Sequence, residues 1–139
     1  MQEQMSENEL TVYLSQQWIA VIGTTKPNGT PHAAPVWYEY DSGLFYCFTP
    51  QSSVKIKNLT QNDAVTLCIT GHERPYSYVI VEGKCEIQTQ GVSAKALSIT
   101  NRYLAGAEAE KFSRNVLENS SPVLLVITPS RILAPRNLL

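Results

Sequence analysis

Hydrophobic positions near the start of the chain follow a helical rhythm, with Leu10, Tyr13 and Leu14 on one face. Ser6-Glu7-Asn8-Glu9 ahead of them pairs a hydroxyl with a carboxylate three residues on, the pattern of a capping box, and predicts a helix ending near Gln17. From Trp18 the rhythm changes. Trp18 to Thr25 is an apolar, β-branched run, and Lys26-Pro27-Asn28-Gly29 carries the Asn-Gly pair of a tight hairpin. Thr30 to Tyr40 predicts a second strand, in which Pro31 and Pro35 lack ladder donors and so place part of it at an edge or a bulge. Asp41-Ser42-Gly43 then turns the chain into a third strand, Leu44 to Thr49. Three strands joined by tight turns predict an antiparallel meander.

Beyond Pro50 a short helix is expected, capped by Ser52 or Ser53, carrying Val54, Lys55, Ile56, Lys57 and Leu59 and ended by Asn62-Asp63. Ala64 to Thr70 and Tyr76 to Gln88 read as strands, Gly91 to Leu104 and Ala105 to Leu117 as two helices split at Gly106, and Pro122 to Thr128 as a sixth strand. No linker, repeat or low-complexity block interrupts residues 1–139, so one domain is expected, with a core over about 8–128 and a tail over 129–139. Short strands with small helices between them predict a mainly β fold closing into a small barrel, since closure removes exposed edges.

Composition narrows the chemistry more than the fold. Apolar residues make up 43% and charged residues 17% of the chain, as in a globular protein rather than a disordered one. The net charge of −1 offers no basic face for nucleic acid. Cys47, Cys68 and Cys85 are widely spaced and sit in apolar runs, which fits free, buried thiols in a reducing cytoplasmic compartment rather than zinc or disulfides. No run approaches the ~20 apolar residues of a membrane span, and the polar, acidic Met1 to Asn8 is not a secretory signal.

The informative stretch is Thr49-Pro-Gln-Ser-Ser-Val-Lys-Ile-Lys-Asn-Leu59. It puts two hydroxyls and two lysines at the start of a helix just after a strand. Free N–H groups and the positive dipole end make such a place an anion site, and serine and lysine add a donor and a full charge suited to phosphate. A solvated helix face with two ordinary lysines fits the same residues. His32 and His72 are lone histidines on loop-like segments, and Tyr76 and Tyr78 read as strand aromatics. No Ser-His-Asp set, paired carboxylates or metal-ligand spacing is found, so no catalytic side chain is assigned.

The run Ile22-Gly-Thr-Thr-Lys-Pro-Asn-Gly-Thr-Pro-His-Ala-Ala-Pro-Val-Trp-Tyr38 resembles the opening hairpin of the pyridoxamine 5′-phosphate oxidase-like, FMN-binding split barrels. Leu44 to Pro50 and Ser53 to Leu59 are similar to the next strand and phosphate-binding helix of that family, and Asp63 to Cys68, Tyr78 to Lys84 and Arg102 to Leu104 continue the resemblance in order. The resemblance implies a six-stranded antiparallel Greek-key split barrel, a homodimer, and a flavin in each of two clefts between subunits. It implies that Pro35, Val36 and Trp37 run along the flavin ring and ribityl chain, with Phe48 and Thr49 beside them. It gives Ser53 and Lys55 the phosphate, and matches Lys57 to a basic residue frequent in the deazaflavin-dependent branch.

FMN is thus the expected cofactor, the deazaflavin coenzyme F-420 its rival, and hydride transfer to or from a small molecule the expected chemistry. The lack of side-chain catalysts agrees with this, because a flavin carries the hydride while the protein supplies position and electrostatics. Val54 stands where the true oxidases carry arginine, and residues 128–139 lack their substrate-binding arginine and histidine, so that vitamin oxidation itself is not expected. Two other classes remain: a nucleic-acid-binding small barrel stacking bases on Trp37, Tyr38, Tyr76 and Tyr78, and a haem-binding split barrel using His32 or His72. For the dimer, the strands Ala64 to Thr70 and Tyr76 to Val81 look too apolar for a monomer's exterior, and no apolar wall facing Trp37 is apparent within one subunit.

Overall fold

The capping box forms as written. In this computed structural model, which describes residues 3–74 and 76–136, Ser6 Oγ accepts the Glu9 N–H at 3.1 Å and the Glu9 carboxylate accepts the Ser6 N–H at 3.0 Å. Helix α1 spans Glu7–Leu14, ending before Gln17. Arg102 meets that end, donating to the carbonyls of Leu14 at 3.2 Å and Gln16 at 2.9 Å. A cation on the last carbonyls of a helix satisfies groups that lack helical partners.

The strands are β1 (Ala20–Thr25), β2 (Pro31–Val36), β3 (Glu39–Asp41), β4 (Leu44–Pro50), β5 (Ala64–Thr70), β6 (Tyr78–Gln88) and β7 (Pro122–Leu133), and the remaining helices are α2 (Val54–Gln61), α3 (Val92–Thr100) and α4 (Gly106–Asn119). The described residues form seven strands in one antiparallel sheet where six were expected. The segment read as a single strand over Thr30 to Tyr40 breaks at Trp37-Tyr38, and its halves go to opposite edges: the sheet order is β2-β1-β5-β6-β7-β4-β3. The expected meander therefore does not form; β1–β2 and β3–β4 are separate hairpins. The proline expectation holds, since Pro31 and Pro35 lie on the edge strand β2.

This order dictates curvature. Six spacings of about 4.8 Å would put the edges of a flat seven-stranded sheet roughly 29 Å apart. Val36 and Glu39, one on each edge, are joined by only Trp37 and Tyr38, which reach at most about 11 Å. The sheet has to curl until its edges nearly meet, giving a split barrel with small helices.

Alternate side chains point inside. Ala20, Ile22, Phe45, Cys47, Val65, Leu67, Ile69, Val79 and Val81 are all buried. The residues that made β5 and β6 look too apolar for an exterior thus fill the chain's own interior. Burial pushes the thiols of Cys47 and Cys85 up to about 12, as expected of thiols serving as small hydrophobes. β7 runs to Leu133, beyond the stretch read as strand, and crosses a bulge in β6 between Glu82 and Gly83. A Cβ at Gly83 would lie 2.3 Å from the Thr128 carbonyl oxygen, so this close backbone approach requires glycine. Among the described residues no helix is long and apolar enough to cross a membrane.

Candidate cofactor site

A cleft of about 380 Å³ opens where the crossover leaves the sheet, within the ~300–1,000 Å³ usual for small-molecule sites. Six of the eight residues pointed out by the sequence line it: Pro35 and Val36 at the end of β2, Trp37 in the crossover, Phe48 and Thr49 at the end of β4, and Lys55 in the first turn of α2. Ile19, Pro50 and Phe112 complete the lining. Ser53 adjoins it: at the N-cap of α2 its hydroxyl makes no bond to the helix and instead accepts from Thr49 Oγ1 at 3.1 Å, leaving its own O–H able to donate. Lys57 is exposed on α2 and is not part of the lining.

α2 is held in place from beneath. Asn58, 1% exposed, donates through Nδ2 to Thr24 Oγ1 of β1 at 3.0 Å, and Leu59 is buried beside it. That anchorage turns the start of the helix toward the cleft, and its first turn contains no acidic residue. Among the described residues no carboxylate pairs with Lys55. Its ammonium is half-buried, and loss of solvent lowers its pKa from the ordinary lysine value, the neighbouring Cys47 acting weakly the other way. An unpaired, partly desolvated cation beside a free helix start is the electrostatic complement of an anion.

The opposite end is aromatic. Trp37 stacks on Tyr103 with ring centroids 4.7 Å apart and planes 8° from parallel, and Phe112 meets Trp37 at 5.2 Å with a 43° tilt. Tyr103 is itself fixed, its hydroxyl donating to the Trp18 carbonyl at 2.8 Å and accepting the Tyr38 N–H at 3.3 Å. An apolar wall beside Trp37 is therefore supplied by the same chain, from α4, where none was expected. Its one sequence signal is a lone aromatic in a helix of otherwise small, polar and aliphatic residues, which says nothing about what the ring meets.

Other residues singled out earlier fall away from the cleft. Tyr38 is wholly buried, its hydroxyl donating to the Leu14 carbonyl at 2.8 Å, so it offers no face for a base. His32 pairs with Thr24 in β1, whereas exposed His72 follows β5, whose Ile69 pairs with Ala20 at the other end of β1. Four residues of strand separate those ends by roughly 13 Å, so the two histidines stand toward opposite ends of β1. Val54, in the position of the oxidases' arginine, is 50% exposed. No group of three or more metal-ligating side chains occurs among the described residues.

Among known proteins, a family model described as pyridoxamine 5′-phosphate oxidase matches residues 6–134. A conserved hypothetical protein of Mycobacterium tuberculosis is similar in structure with a TM-score of 0.82 at 23% identity, over 96% of this chain and 86% of that one. An F420 reductase superposes with a TM-score of 0.70 at 23% identity, over 87% of this chain and 93% of that one. The haem storage protein HutZ of Vibrio cholerae gives 0.72 at 10% identity, over 93% and 94%. At such identities the likeness to these structures is one of fold. No curated protein matches the chain.

Proposed function

Since the chain belongs to the pyridoxamine 5′-phosphate oxidase family, we propose that it is an FMN-dependent oxidoreductase whose cleft holds the flavin phosphate at Ser53 and Lys55 and the ring at Pro35, Val36 and Trp37. The observation that carries this reading is Lys55: a half-buried ammonium without a carboxylate partner among the described residues, at the mouth of a helix and at one end of a largely apolar cleft. Bound phosphate would restore the solvation that Lys55 has lost, with two or more charge-assisted hydrogen bonds at the helix start. Thr49 orients the Ser53 hydroxyl, and Phe48 with Val36 keeps water from the middle of the cleft. FMN supplies the hydride chemistry when bound. Among the described residues the lining holds no ionisable side chain but Lys55, which stands at the phosphate end, so the chain's part is binding, orientation and exclusion of water.

The test is a titration of the purified chain with FMN, riboflavin and coenzyme F-420, followed by flavin fluorescence and thermal unfolding. FMN at a hundred times its Kd should stabilise the native state by about 2.7 kcal/mol, and riboflavin, lacking the phosphate, should bind at least tenfold more weakly. Tight binding of F-420 with none of FMN would assign the site to the deazaflavin, a reading favoured by Lys57 and the F420 reductase of like fold. A Soret band on mixing with haemin, and no binding of either flavin, would overturn the proposal.

The same reading includes a second copy of the chain. Across the outer face of the sheet, Pro35, Val21, Cys68, Ile80 and Leu133 stand in one cross-strand row, with Ile19 at 44% and Val21 at 41% exposure leading into the cleft. A two-fold partner on this row would bury its apolar atoms and extend the cleft. Val21→Glu should leave the fold intact and yield monomers by light scattering. A wild-type chain that is monomeric and still binds FMN would remove the partner from the site.

A further inference from the structure

The cleft has one fixed aromatic wall and one that is lightly mounted. Tyr103 backs Trp37 and is anchored by two hydrogen bonds. Phe112, 37% exposed, comes from α4, whose only buried residues are the small Ala109 and Ser113. Between α3 and α4 the surface opens into a groove of about 320 Å³ lined by Ser93, Leu97, Glu110, Ser113, Arg114 and Leu117. Both ends of the helix leave ordinary helical geometry: Gly106 has φ 56° and Ser121, just after it, φ 44°. The start of the helix has no side-chain cap, since Ala105 provides none, whereas at its end the Ser120 hydroxyl donates to the Val116 carbonyl at 2.7 Å. A helix that buries only two small side chains and is bounded by two left-handed residues makes few packed contacts to resist a shift as a unit. What it carries into the cleft is a single ring, at the end away from Lys55.

We infer that Phe112 sets which planar ring the cleft accepts, and that α4 closes with it over the bound ring. This rests on the flavin reading above but assigns the ring contact to a residue of this chain that the family resemblance did not mark. Tyr103 covers one face of Trp37 and is not part of the lining, whereas Trp37 and Phe112 both are, so these two rings are the aromatic contacts open to an entering ring at this end of the cleft. Offset or edge-to-face contact with Phe112, together with the apolar area covered, amounts to about a tenfold gain in affinity. A ring too narrow to reach across to Phe112 would lose that gain, whereas a flat fused system would keep it.

The inference is tested by measuring Kd for FMN and for riboflavin with the wild type, Phe112→Ala, Phe112→Leu and Lys55→Ala, and hydrogen exchange of residues 106–119 with and without FMN. Phe112→Ala should weaken both ligands about tenfold and leave their ratio unchanged, and Phe112→Leu should recover part of the loss. Lys55→Ala should weaken FMN at least tenfold and leave riboflavin within about twofold. FMN should slow exchange across α4. Unchanged affinities in both Phe112 variants, with Lys55→Ala still selective for the phosphate, would overturn the ring contact and spare the flavin reading. A loss confined to FMN in Phe112→Ala would place Phe112 at the phosphate end and overturn it too. Exchange in α4 that ignores FMN would overturn the closing motion. Failure of the wild type to bind either flavin would overturn both readings together.

Discussion

The two walls of the cleft are built in different ways. The wall made by β2, β4 and α2 is tied into the barrel at every point: Thr49 to Ser53, Asn58 to Thr24, and alternate residues of β4 in the core. The wall made by α4 touches the cleft through Phe112 and seats itself on Ala109 and Ser113. The first presents charge and hydroxyls, for which a fraction of an ångström matters. The second presents an apolar ring, for which contact matters more than direction. Rigid placement of the polar end and loose placement of the apolar end is what a site needs if it must hold a phosphate firmly and still admit a wide, flat molecule.

The comparison breaks most severely if the frame behind the polar wall yields. Gly83→Ala forces a Cβ into the Thr128 carbonyl, and overpacking of backbone against backbone should cost about 3 kcal/mol in chemical unfolding. A loss below about 1 kcal/mol would mean that β6 and β7 can slide apart, and that the polar wall is no more rigid than the other. Asn58→Ala should cost about 2 kcal/mol, because Thr24 Oγ1 and the space around it stay buried without their partner. FMN affinity should fall in this variant although Asn58 does not line the cleft; unchanged affinity would show that α2 is held by something else.

Phe112→Ala sharpens the contrast from the other side. A ring that is more than a third exposed should contribute about 1 kcal/mol to stability, against the ~3–5 kcal/mol of a core phenylalanine. A core-sized loss would make α4 part of the rigid frame. Lys55 gives a pH signature. Burial lowers its pKa from the ordinary 10.5, and bound phosphate must raise it again. Between those two values binding takes up a proton, so FMN affinity should fall as pH rises through that interval and be flat below it down to about pH 6, where the phosphate itself takes up a proton. Smallest is the effect of the capping box. The Ser6 backbone N–H, followed by the Ser6 hydroxyl and Arg136, holds the Glu9 carboxyl below 4.5 despite some opposing desolvation. Its stabilisation is present above pH 4.5 and should be lost as pH falls through the lowered value; Glu9→Gln should remove that slight acid dependence.

How much of this was legible in the sequence follows the same division. Ser53 and Lys55 lie within seven residues of Phe48 and Thr49, so one strand-to-helix turn carries the polar wall and its meaning can be read locally. Pro35 as an edge residue was legible because proline has no donor to give. The break at Trp37-Tyr38 was not: both residues are aromatic and strand-favouring, and only the position of β5, β6 and β7 between the two hairpins separates β2 from β3. Phe112 was invisible for a related reason. Its contact with Trp37 joins distant parts of the chain, and the lone aromatic ring of a polar helix carries no record of which cavity it will meet. The apolarity of β5 and β6 was read correctly but assigned to an outer surface, since alternation reveals that a strand has two faces and not which one a barrel encloses.

The two-residue crossover has a further consequence, for how the chain tolerates change in length. Surface connections ordinarily accept insertions at little cost, because loop closure depends only weakly on length. Trp37-Tyr38 is a connection of minimal length, yet it spans the mouth of the barrel and carries both a core ring and a cleft ring. One added residue there would rotate Trp37 out of the cleft or Tyr38 out of the core, and would let the two edges of the sheet drift apart. The Asn28-Gly29 hairpin, by contrast, projects from the sheet with both residues exposed, and can lengthen without reaching either. Variation in length among chains of this design should gather at the hairpin tips and spare the crossover, where the spacing of the two strands is also the aperture of the site.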